Sequence, residues 1–166
     1  MDDRRDLHPS ERPSTSAQHA PQYEKNTTSR QICELYFLAI QALNEHDHDH
    51  KGEAGQVVLS HLSPNFTARF DAKDKTELSW TEVNDAWREW HKQDPEMRIE
   101  IKHCSCDVDL GRGVARLLAE ADITGISGGV TLGGLMENRY RRNRDGKWLL
   151  ECSMGLRGLK SNGGFV

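Results

Sequence analysis

Between Asn44 and Glu53 the chain reads NEHDHDHKGE, so that His46, Asp47, His48, Asp49 and His50 alternate two side-chain types that ligate metals and move protons. Zinc ligands must converge within about 2 Å of one centre, usually from a helix face or from separate turns. Five successive residues of one loop do not converge in this way by themselves. A helix running through the segment would pair His46 with His50 one turn apart, but Lys51 and Gly52 mark the helix as ending nearby. The stretch is therefore expected to be a solvated loop, and no metal site is expected.

His103 has a different setting. In MRIEIKH, alternation puts Met97, Ile99, Ile101 and His103 on one strand face, and that face is apolar. It is expected to point inward, which makes His103 a candidate general acid or base near neutral pH. A core histidine bonded to a neighbour is the alternative. In ARLLAEADITG, the small residues Ala115, Ala119 and Ala121 share the core face with Leu117 and Ile123. Asp122 falls on the opposite face, so it reaches a pocket as a catalytic partner only if a bulge reverses the register.

Substrate-binding candidates come from two further stretches. Met136, Asn138 and Tyr140 alternate on one strand face and read as pocket lining, with Asn138 and Tyr140 able to orient a carbonyl or enol oxygen. Trp80, Val83, Trp87 and Trp90 recur at helical spacing. Trp87 and Trp90 could line a pocket mouth and stack on a flat ligand, with core packing the alternative for Trp87.

The elements that must position these residues follow from pattern. Residues 1–26 carry many charges, three of the five prolines and almost nothing apolar, and read as a disordered tail. A helix is expected from Thr28, where Gln31 completes a capping box and Ile32, Leu35, Tyr36, Ala39, Ile40 and Leu43 form a stripe. EAGQVVLSHLSP reads as a second, shorter helix and NFTARFDA as a short strand ending near Asp71. Ser79 with Glu82 opens a third helix. From Met97 the period changes to two, giving four strands, the last after a turn at NRDG, with Gly133 and Gly134 allowing a bulge or bend. Helices first and strands afterwards give an α+β fold: a curved antiparallel sheet wrapped around helices into a cone with an internal pocket.

That order of elements resembles the nuclear transport factor two-like superfamily and, within it, the SnoaL-like polyketide cyclases of the cystatin-like α+β barrel type. ALNEHDHDHKGEAGQVVLSHLSPNF resembles the group's passage from first helix through a polar loop to a short helix, and RRNRDGKWLLECSMGL its closing hairpin. The resemblance covers residues 27–158, leaving 159–166 as a C-terminal tail. It implies a cofactor-independent enzyme of secondary metabolism that moves protons on a polyketide-like or terpenoid intermediate, by cyclisation, isomerisation or dehydration. A non-catalytic binding or accessory protein is the alternative. Arg116, Glu120, Glu137, Arg139 and Arg141, charges of both signs on one sheet face, suit a homodimer.

The 166-residue chain has a formal net charge of −4, which argues against nucleic acid and anionic membranes as partners; a small hydrophobic substrate is what the resemblance implies. Its charged opening, MDDRRDLHPS, is unlike a secretory signal, and a cytoplasmic protein is expected. Cys33, Cys104, Cys106 and Cys152 form no C-x-x-C pair and are expected to be reduced thiols.

Overall fold

The computed structural model describes residues 19–70, 77–161 and 164–165. The elements are α1 (His19–Asn44), α2 (Glu53–Ser60), β1 (Leu62–Phe70), α3 (Trp80–Gln93), β2 (Arg98–Asp109), β3 (Val114–Thr124), β4 (Leu132–Arg142), β5 (Trp148–Ser161) and β6 (Gly164–Phe165). The α+β architecture is the expected one. β2 to β5 form an antiparallel meander, and β1 joins its far edge parallel to β5, giving the order β1-β5-β4-β3-β2 with β6 paired to β5.

α1 begins earlier than the capping box at Thr28 suggested. The helix passes straight through Thr28, which is buried, and Pro21 is tolerated because it sits in the first turn. Residues 19–26, expected in the tail, are thus helical, and residues 1–18 lie outside the described residues. Here α1 is tied to β2: Lys25 Nζ is 2.9 Å from Asp107, and Ser29 Oγ donates to the Cys106 carbonyl at 2.8 Å. At the other end β5 runs through Ser161 and pairs with β6, so strand continues into the segment expected as a tail. The capping box at α3 is present: Ser79 N donates to Glu82 Oε2 at 2.7 Å, and Ser79 Oγ accepts from Glu82 N.

The main core lies between α1 and the meander, where Ile32 and Leu117 are fully buried alongside Tyr36, Val108, Ala115, Ala119 and Tyr140. A register irregularity between Ile101 and His103 decides what β2 contributes to it. Met97 and Ile99 point inward as expected; beyond the bulge the parity inverts. Cys104, Cys106 and Val108 then face α1, while His103 lies exposed on the outer face opposite Glu120. Burial pushes the Cys104 and Cys106 thiols up to about 12, and none of the four cysteines is in a disulfide.

No bulge falls at Gly133 and Gly134. β3 and β4 stay in register through both, and the irregularity in β4 falls between Arg139 and Tyr140, against β5. No helix among the described residues is long and apolar enough to cross a membrane.

Candidate active-site cavity

A cavity of about 110 Å³ opens between the helices and the inner face of β1, β4 and β5. Such a space is larger than a single water requires. Its walls are mostly apolar: Ile40 and Tyr36 from α1, Val58 from α2, Phe66 and Phe70 from β1, Trp87 from α3, and Met136 and Leu150 from the sheet. Tyr36 is buried, and burial raises its hydroxyl pKa above the ordinary tyrosine value, so it is held as a proton donor.

Asn84, Asn138 and Ser153 contribute polar groups to this cavity, and its titratable imidazoles and carboxylate come from the HDHDH loop. α1 ends at Asn44, whose side chain exchanges two 2.8 Å hydrogen bonds with the Ile99 backbone, one to each group. His46 and His50 adopt left-handed backbone angles, φ 58° and 53°, which fold the segment back on itself. Asp47 locks the turn, accepting from Lys51 N at 2.8 Å and Gly52 N at 2.9 Å. Gly55 allows the close approach: a Cβ there would stand 2.3 Å from Asp47 Oδ2 and 2.8 Å from His50 Cα. Asn84 Nδ2 donates to the His48 carbonyl and Gln56 Nε2 to that of His50, so α3 and α2 each hold one histidine.

Asp47, His48 and His50 consequently line the cavity. The loop is polar, as expected, but it is part of the site, which sequence reasoning missed. Behind His48 stands His91 of α3, with its Nδ1 3.1 Å from His48 Nε2. The His46 ring stacks on His91 at a centroid distance of 3.9 Å. Burial, then His46 and His48, bring His91 down to about 4. Burial, followed by the Arg88 charge and His46, also lowers His48; burial lowers His50 against the opposing pull of Asp47. All three are neutral imidazoles at neutral pH, able to accept a proton. Among the described residues no group of three or more His, Cys, Asp or Glu side chains is placed to hold a metal ion.

The expected site residues are divided by this geometry. Trp87, Met136 and Asn138 line the cavity. Asn138 Oδ1 accepts from Ser153 Oγ at 2.7 Å, while Tyr140 is buried in the main core and not in the cavity lining. Trp90 stacks on Trp87, ring centroids 5.3 Å apart, and carries Arg157 on its face. His103 and Asp122 do not enter. His103 is outside for the bulge already described, and Asp122 stays on the outer face, 3.6 Å from Lys102 Nζ, because β3 keeps its register. Asp71, an acid also noted in the sequence, lies outside the described residues.

Comparison with solved structures meets this geometry at the level of fold. A proposed dehydratase of the NTF2-like family from Streptomyces avermitilis superposes with a TM-score of 0.60 at 16% identity, over 81% of this chain and 99% of that one. An uncharacterised cystatin-like protein from Caulobacter vibrioides gives 0.58 at 10% identity, over 76% and 86%. The fold is NTF2-like, of the cystatin-like type. A proposed ketosteroid isomerase from Shewanella frigidimarina shares it, with a TM-score of 0.55 at 13% identity over 74% of this chain and 91% of that one. No family model and no curated protein matches the sequence. At these identities the NTF2-like likeness defines architecture, and chemistry has to be argued from the cavity.

Proposed function

We propose that this protein is a cofactor-independent proton-transfer enzyme acting on an enolisable ketone, in the manner of the SnoaL-like cyclases. The observation that carries the proposal is the convergence of neutral His48 and His50 on a mostly apolar cavity beside Tyr36. His48 is the base. It removes a proton α to the carbonyl; the electron pair passes to the oxygen as an enolate, and Tyr36 donates to that oxygen where charge develops. Returning the proton at another carbon completes an isomerisation, and expelling a β-hydroxyl as water completes a dehydration. The acid–base role thus moves from His103 and Asp122 to the HDHDH loop. The apolar walls and Trp87 suit a polyketide-like or terpenoid intermediate of secondary metabolism.

Deuterium exchange at the α-carbon of a fused-ring ketone such as α-tetralone tests the chemistry without knowledge of the natural substrate. The native protein is expected to accelerate exchange and His48→Ala to abolish the acceleration; exchange unaffected by His48→Ala would overturn the assignment.

A second reading is favoured by the outer sheet face. Leu118 and Leu135 are exposed there beside Arg116, Glu137 and Arg139, joined by 2.8 Å ion pairs. Apolar area with charges of both signs supports a self-complementary homodimer, with the cavity serving binding alone. Sedimentation velocity of the wild type and of Leu118→Asp tests the assembly, and a species that stays monomeric at high concentration would remove it.

A further inference from the structure

Three of the chain's four cysteines meet where α1 packs on β2. Cys33 comes from α1, and Cys104 and Cys106 from the stretch of β2 that the bulge turns inward; all three pack against the main core and stay half-buried. The two elements run antiparallel and in step. Lys25 pairs with Asp107, Ser29 Oγ donates to the Cys106 carbonyl at 2.8 Å, and Asn44 closes the seam on the Ile99 backbone at 2.8 Å. From Ser29 to Cys33 the helix advances about 6 Å, and from Cys106 to Cys104 the strand advances about 6.6 Å. Cys33 therefore arrives opposite Cys104. Its side chain acts on Cys104 at contact range and on Cys106 only through its field.

Serine is short, so its bond to a strand carbonyl brings the two backbones close. A cystine asks for such closeness, with Cα atoms about 4.4–6.8 Å apart. Nucleophilicity is divided across the seam. Burial pushes the Cys104 and Cys106 thiols up to about 12, and a thiol held protonated attacks peroxide slowly. The first attack thus falls to Cys33, with Cys104 as the partner that resolves it.

We propose that Cys33 and Cys104 form a peroxide-closed cross-link that locks α1 onto β2. The Cys33 sulfur attacks one oxygen of hydrogen peroxide; the O–O bond breaks, the departing hydroxide takes the thiol proton as water, and Cys33 becomes a sulfenic acid. The Cys104 sulfur then attacks the Cys33 sulfur. The S–O bond breaks, and the hydroxyl leaves with the Cys104 proton as a second water. Two thiols are oxidised to one disulfide, and one peroxide is reduced. The bond closes a loop over residues 33–104, which holds the rest of α1, all of α2, β1 and α3, and the start of β2. It lies one turn before Tyr36, so it fixes the helix that carries the hydroxyl of the cavity.

Peptide mapping of the full chain, first reduced and then treated with hydrogen peroxide, tests the pairing. The expected product is an intramolecular Cys33–Cys104 disulfide, reversed by dithiothreitol. It should raise the thermal midpoint by about 5–10 °C, as closing a long loop does in a chain of this length. Cys106→Ser and Cys152→Ser should keep the bond and the shift, and Cys33→Ser and Cys104→Ser should lose both. Peroxide that joins Cys104 to Cys106, links two chains through Cys152, or leaves the thiols unreacted or as sulfinic acids would overturn the pairing. A Cys33–Cys104 bond with an unmoved midpoint would overturn the lock. Mapping of the wild type decides the pairing even where a serine variant fails to fold. α-Tetralone exchange by the reduced protein bears on the histidines alone, so either result there leaves the cross-link standing.

Discussion

His48 Nε2 lies 3.1 Å from His91 Nδ1, so a single proton must serve two facing imidazole nitrogens. Protonating both rings would set two cations against each other with His46 stacked alongside. Stability should therefore depend on acidity. His91 binds its proton only near pH 4 when folded, against about 6.5 in the unfolded chain. Between those values the unfolded state holds more protons, so stability falls as the pH drops through this window and is fully retained above it. Thermal unfolding from neutral pH downward should show the loss, and His91→Phe should flatten it. An unchanged acid limb in that variant would sink the account.

Gly55→Ala should destabilise the protein by about 1–3 kcal/mol, the usual cost of overpacking. The new methyl would collide with Asp47 Oδ2 and the His50 backbone, which belong to the locked turn. Gly111→Ala is the control, since its nearest neighbour would be Asp109 Oδ1 at 3.5 Å. Chemical denaturation of both variants checks this, and comparable midpoints would argue against the close approach.

Asn44→Ala removes both hydrogen bonds to the Ile99 backbone and leaves two strand groups unpaired. A loss of about 1–3 kcal/mol is expected for part-buried groups stranded in this way. Because Asn44 also sets where the HDHDH loop begins, α-tetralone exchange should fall along with the melting temperature.

His103→Ala should change neither stability nor exchange. The side chain stands on the outer face, beyond the bulge in β2. A substantial loss of exchange in this variant would return the residue to the site and contradict the orientation described above.

The fold was legible because it rests on period. The stripe on α1, the capping box at Ser79 and the alternation of β3 and β4 are local patterns, and each reappears in the structure. Met136 and Asn138 were placed by the same alternation, which nothing interrupts between Gly134 and Arg139. His103 was misplaced because one irregularity inverts every residue after it, and MRIEIKH carries no glycine to announce the inversion. The loop histidines were missed for another reason. Their direction depends on left-handed angles at His46 and His50 and on a glycine in the following helix, and periodicity is blind to all of these. The usable signal was the density of titratable side chains next to the end of the first helix.

The parallel pairing of β1 with β5 also sets the order of events in folding. Leu62 lies beside Leu150, and Ala68 beside Ser153, so a large part of the chain must be synthesised and looped before this edge can close. The helices and β1 emerge from a ribosome well before the sheet they cover. Until β5 arrives, Phe66 and Phe70 have no floor beneath them, and a nascent or truncated chain should present them as sticky apolar surface.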